Sequence, residues 1–162
     1  MPEEKTSKIA VIRIRGKVHV RSDIEDTLSM LNLTRKNHCV LLDNKPTTMG
    51  MIHKVNDYVT WGPVKEETVA KLIEARGKVS GGGKLGDDAL KKGSKHKTMK
   101  AFSAAVAEGK ASMNDVKNLK PVFRLNPPRG GFERGGIKKP YDSGGVLGHR
   151  GEDINQLIER ML

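Results

Sequence analysis

The chain has 162 residues, with 30 Lys and Arg against 19 Asp and Glu, giving a formal net charge of +11. That length suits one domain, or a small core with an extension, and the excess positive charge costs self-repulsion unless the partner is a polyanion. A single cysteine, Cys39, excludes an intrachain disulfide, the five scattered His argue against a zinc site, and no apolar run approaches the ~18 residues of a membrane span.

The N-terminus, Met1-Pro2-Glu3-Glu4-Lys5, carries no apolar signal segment, so an intracellular protein is expected. Residues 8–15 are β-branched and nearly alternating, which predicts a first strand. Arg13 and Arg15, two residues apart, share one of its faces. Ser22-Asp23-Ile24-Glu25 reads as a capping box, followed by a helix with Ile24, Leu28 and Leu31 on one stripe. Residues 37–43 form a second, largely buried strand. Pro46 sits where a helix can begin, and Ile52, Val55 and Val59 form its apolar stripe. That helix should end near Asp57, with a third strand over 58–61 before Gly62-Pro63. Strand, helix, strand, helix, strand predicts an α+β layer with both helices on one sheet face.

A third helix starts at the acidic Lys65-Glu66-Glu67-Thr68, carries Val69, Leu72 and Ile73, and is closed by Gly77. Gly81-Gly82-Gly83 is a flexible break. A further helix is expected from Lys97 to Glu108, with Met99, Phe102 and Val106 on one face. It starts among Lys95, His96, Lys97 and Lys100, which oppose the helix dipole unless an external polyanion offsets them. Residues 117–150 hold eight basic and two acidic residues, four Pro and seven Gly. They should have little regular structure and order only on binding. Ile154, Leu157, Ile158 and Met161 then recur at helical spacing. The expected division is a βαβαβ core over 1–63 and an extension over 64–162.

Enzymatic signatures are weak. Gly81-x-Gly83-x-x-Gly86 matches a dinucleotide fingerprint, but it follows a helix instead of a strand and reads as a linker. Gly83-Lys84 is followed by Leu85, which cannot ligand magnesium. The adjacent acids Glu66-Glu67 and Asp87-Asp88 point in different directions on a helix. His38 and Cys39 are neighbours on a strand and face opposite sides, so nucleophilic catalysis is disfavoured. No enzyme activity, cofactor or metal is expected.

The basic segments carry more. Lys45-Pro46-Thr47-Thr48-Met49-Gly50 opens a helix with free backbone N–H groups and two hydroxyls, a natural phosphate site. Gly50 costs about 1 kcal/mol against Ala in a helix interior. It signals either close approach of an RNA backbone or tight packing of helix on sheet. Phe123-Arg124-Leu125-Asn126-Pro127-Pro128-Arg129-Gly130-Gly131-Phe132-Glu133-Arg134 combines phosphate-binding Arg with Gly that admits a backbone closely. Phe132 could stack on an exposed base. With one Trp, two Tyr and three Phe in all, base stacking on strands is disfavoured, and binding should rest on phosphates and RNA shape.

Ile9-Ala10-Val11-Ile12-Arg13, residues 37–43 and Met49-Gly50-Met51-Ile52-His53-Lys54-Val55 together resemble the ribosomal protein L-thirty family. The C-terminal part, with Phe123-Arg124-Leu125-Asn126-Pro127-Pro128 and Gly144-Gly145-Val146-Leu147-Gly148-His149-Arg150, resembles its archaeal form, related to the eukaryotic L-seven protein. The resemblance implies a ferredoxin-like core with a three-stranded antiparallel sheet and two helices. It also implies a cytoplasmic, structural place in the large ribosomal subunit, on the large rRNA, with contacts toward the 5S rRNA and neighbouring ribosomal proteins.

By the same resemblance, Thr47, Thr48, Met49, Gly50, Met51 and Lys54 lie in a motif that faces RNA, with His38 beside it. Phosphate contacts are expected from Arg13, Arg15, Arg35, Lys36, Lys45 and Lys54, and from Arg124, Arg129, Arg134, Lys138, Lys139 and Arg150. The competing expectation is an extra-ribosomal RNA-binding regulator or assembly factor with the same fold.

Overall fold

A computed structural model describes residues 8–86, 90 and 98–162. Five strands form one sheet: β1 (Lys8–Arg13), β2 (His38–Asp43), β3 (Val59–Pro63), β4 (Val122–Arg124) and β5 (Gly148–His149), in the order β4-β2-β1-β3-β5. The central trio is antiparallel as expected, with Val11 opposite Val40 on one side and Trp61 on the other. The expectation of a three-stranded sheet is corrected by β4, antiparallel to β2, and β5, parallel to β3. Both come from the segment expected to lack regular structure. The exposed edges of β2 and β3 carry unpaired backbone groups, and these short strands satisfy them.

The alternation in β1 sends its side chains into two separate cores. Ile9 and Val11 pack with Leu28 of α1 (Ser22–Met30), with Leu31 at its C-cap and with Ile52 of α2 (Pro46–Lys54). Ala10, Ile12 and Ile14 face the other way, onto α3 (Glu66–Arg76), α4 (Met99–Ala107) and α5 (Ile154–Met161). The extension therefore covers the second sheet face. The stripes read from the sequence do the packing: Phe102 and Val106 of α4 are fully buried, as are Ile154, Leu157, Ile158 and Met161 of α5. Each such side chain contributes about 1.5–3 kcal/mol of burial.

Two local expectations change. The capping box at Ser22 is not formed: Arg21 is the N-cap, without a side-chain cap. The Glu25 carboxylate is taken by Arg13 and Lys17 instead. Thr98 caps α4 by accepting from the Ala101 N–H, whereas the expected basic start at Lys95, His96 and Lys97 lies outside the described residues, as does Asp87-Asp88.

The segment after β4 crosses the end of the sheet and is tied at several points. The Leu125 N–H donates to the Asn37 carbonyl (3.0 Å), the Gly135 N–H to the Gly144 carbonyl (3.0 Å) and the Val146 N–H to the Lys139 carbonyl (3.0 Å). A Cβ on Gly145 would overlap the Lys139 carbonyl, so that glycine serves an internal close approach.

Candidate nucleic-acid interface

The expected phosphate-binding residues separate into three groups. The first lies where β1 ends and β2 begins. Arg35, Lys36 and Arg124 are exposed there, and Arg124 is the register partner of His38. Arg15 lies over the Tyr58 ring (4.8 Å to its centroid) and donates to the Asp57 carbonyl. This holds its guanidinium near the end of α2, where Lys54 is exposed. His38 is buried in this cluster. Burial pushes its pKa below the ordinary histidine value, and the charges of Arg124, Arg35 and Arg13 push the same way. Concentrated positive charge on one end of a sheet suits a phosphate backbone.

The second group lies at the opposite end of the sheet, where α2 starts. Lys45 and Thr47 are exposed, and Thr48 is half-buried. No side chain caps this helix and no acid lies in its first turn, so its N–H groups and dipole face outward. Lys45 pairs with Asp43 at 3.1 Å, and Asp43 also pairs with Lys8. Met49 and Met51 are half-buried against the core and act mainly as packing. Gly50 is exposed, and an added Cβ would meet nothing within 4 Å. Tight packing on the sheet therefore does not account for this glycine. Six-residue strands set the two ends about 20 Å apart.

The third group lies on the arm after β4. Arg129, Arg134, Lys138 and Lys139 are exposed, while Phe132 is half-buried against the second core. Arg129 is held in place by Arg160, whose Nε donates to its carbonyl at 3.0 Å.

Two arginines expected at phosphates are interior instead. Arg13 is fully buried. Its guanidinium donates to the carbonyls of Leu33 (2.7 Å), Arg15 (2.9 Å) and Gly16 (3.1 Å) and to Glu25 Oε2 (3.0 Å). It closes the loop between β1 and α1, spends four of its five N–H donors inside the fold, and presents no exposed surface to RNA. Arg150 is buried as well, spent on Glu133, Thr60 and the Val146 carbonyl. Sequence gives every arginine the same charge, and only the fold shows which are already paired.

Cys39 is fully buried, and burial pushes its thiol up to about 12. A protonated thiol is a poor nucleophile. Among the described residues no group of three His, Cys, Asp or Glu could hold a metal ion, and no helix is long and apolar enough to cross a membrane.

Sequence reasoning missed one feature of this surface. Asn37, in the left-handed region at φ 63°, lines a cavity of about 330 Å³ with Ile14, Lys36, Pro127, Phe132 and Ile137. The Asn following Lys36 was the available signal, since Asn tolerates that backbone better than most residues.

Comparison with known proteins fits this architecture. The model of the family described as ribosomal protein L30p/L7e matches residues 9–59, which is β1 to the start of β3. The large ribosomal subunit protein uL30 of Methanopyrus kandleri is 51% identical over 149 residues, 92% of this chain and 100% of that protein. Its counterpart in Methanocella arvoryzae is 47% identical over 152 residues, 94% and 98% of the two chains. That of Methanosphaera stadtmanae is 42% identical over 153 residues, 94% and 99%.

Proposed function

This chain belongs to the ribosomal protein L30p/L7e family, in its archaeal form, and we infer that it is a structural constituent of the large ribosomal subunit. The observation that carries this is near-complete coverage at high identity: 51% over the whole length of a relative named as a large-subunit protein. The family is one of ribosomal proteins and not of enzymes, and we propose no catalytic role.

The proposed mechanism is phosphate neutralisation on a rigid frame. Arg15, Arg35, Lys36, Lys54 and Arg124 would hold one RNA segment at one end of the sheet. Lys45, Thr47, Thr48 and the N–H groups opening α2 would hold another, with a backbone passing close over Gly50. Arg129, Arg134, Lys138 and Lys139 would follow the first segment along the arm. Contact with 5S rRNA as well as the large rRNA is part of this reading. The separation of basic groups onto two ends of the sheet supports two RNA elements, and the net charge of +11 supports extensive contact.

Sedimentation of a native lysate through sucrose at low and high salt tests the function. The protein should travel with large subunits at both salts. Loss at modest salt would mean a peripheral binder, and absence from ribosomal fractions would sink the reading in favour of a free RNA-binding regulator.

A further inference from the structure

The cavity beside Asn37 is built unlike the rest of the basic surface. Its walls are apolar: Ile14 from the end of β1, and Pro127, Phe132 and Ile137 from the arm. Ile137 is one of three large hydrophobic side chains left exposed among the described residues, at 39%. The lining has a single charge, Lys36, and no acid. Its volume of about 330 Å³ falls at the lower end of the range for small-ligand sites, ~300–1,000 Å³, enough for one planar ring system.

Asn37 supplies the polar element. Its backbone is fully engaged: the N–H donates to the Arg13 carbonyl at 2.7 Å, and the carbonyl accepts from the Leu125 N–H at 3.0 Å. Its side-chain amide, by contrast, makes no hydrogen bond within the described residues. An amide with a free donor and a free acceptor, fixed at the wall of an apolar slot, matches the edge of a nucleobase. An aromatic wall matches its face, since bases splayed out of RNA stack on such rings. Lys36 at the rim, with Arg35 next to it and Lys138 directly after Ile137, matches the flanking phosphates. This charge favours a nucleotide over an apolar side chain of a neighbouring protein, which would leave these cations without a counterpart.

We propose that this cavity holds one unstacked base of the bound RNA, read by the Asn37 amide and clamped between Phe132 and Ile137. The inference rests on the rRNA-binding reading above and deepens it. The site adds a base-reading contact to a surface otherwise built for phosphates.

The test uses the full chain bound to large-subunit rRNA, with base-specific chemical modification to probe base edges and hydroxyl-radical cleavage to probe the backbone. Three proteins are compared: wild type, Asn37→Gly, which keeps the left-handed backbone and removes the amide, and Ile137→Trp, which fills the slot from an exposed position. One unpaired nucleotide should be protected by wild type and become several-fold more reactive with both variants, while the backbone footprint persists. Circular dichroism melts check that each variant folds. If the footprint persists and no single nucleotide changes, the slot takes no base and the proposal falls, while rRNA binding stands. If wild type leaves no footprint at all, the rRNA-binding reading fails and the inference fails with it.

Discussion

Arg150 and Glu133 form a two-point ion pair, Nη1 to Oε1 at 2.5 Å and Nη2 to Oε2 at 3.1 Å, that ties the basic arm to the end of β5. The Arg150 side chain is 3% exposed and lies over the Tyr141 ring. Removing its partner leaves a buried charge uncompensated. Glu133→Ala should therefore destabilise the protein by about 3 kcal/mol, read as a lower urea midpoint. The Arg150 hydrogen bond holds the Glu133 carboxyl below its ordinary value of 4.5. Stability from this pair is thus present above 4.5 and is lost as pH falls through the lower folded value. A Glu133→Ala midpoint equal to wild type at pH 7 would show that the pair is not holding the arm.

The same tie changes what the free arm should do. Composition alone predicts a segment that orders only on RNA. The structure gives it internal hydrogen bonds, a buried ion pair and a half-buried Phe132. Limited trypsin digestion of free protein should cut slowly at Arg129, Arg134 and Lys138 (Lys139 precedes Pro140 and is no trypsin site), and Glu133→Ala should speed those cuts. Rapid wild-type cleavage there would return the arm to the disordered class.

Gly50 offers a test in which stability and binding move in opposite directions. It is exposed inside α2, and a methyl group there meets nothing. Gly50→Ala should stabilise the free protein by up to about 1 kcal/mol. If an RNA backbone passes over this face, the same methyl should weaken binding to large-subunit rRNA. A stabilised variant with unchanged affinity would remove α2 from the interface.

The fold was legible wherever side chains alternate or recur at helical spacing. Ile9 to Ile14 gave β1, Ile52 and Val55 gave α2, and Ile154 to Met161 gave α5. The short strands β4 and β5 were not legible, because three and two residues carry no period, and their pairing depends on edges that only the folded sheet presents. Residues 122–124 therefore read as part of a basic tail. The site was legible as charge and not as geometry. Arg13 and Arg35 look equivalent in sequence, yet one is walled in by three carbonyls and Glu25 while the other is open. Asn37 and Ile137 join one cavity although a hundred residues apart, a proximity that spacing does not encode.

His38 should report on the arginine cluster around it. Its pKa in the folded protein is below 6.5, first through burial and then through Arg124, Arg35 and Arg13. As pH falls below 6.5 the unfolded chain takes up this proton before the folded one does. Free protein should therefore lose stability between 6.5 and the folded value, and His38→Gln should flatten that slope. An RNA phosphate placed near Arg35 and Arg124 acts oppositely and should raise the His38 value on binding. NMR titration of the His38 ring, free and bound, reads both effects, and a free value at or above 6.5 contradicts this account.

The division of arginines into paired and open classes can be read from salt dependence. Each cation that contacts a phosphate adds roughly 0.9 to the slope of log K against log salt on a duplex. Replacing Arg35, Lys36 or Arg124 by Ala should lower that slope by about 1 each and leave urea stability within about 0.5 kcal/mol. Arg13→Met should do the reverse, because Arg13 spends its donors on Leu33, Arg15, Gly16 and Glu25. It should cost about 3 kcal/mol of stability, since three carbonyls lose their donor and Glu25 is left with Lys17 alone, and leave the slope unchanged for the fraction that folds. An unaltered slope in all three surface variants would mean that RNA approaches from another side. A reduced slope in Arg13→Met would mean that the β1–α1 loop opens to deliver that guanidinium to a phosphate.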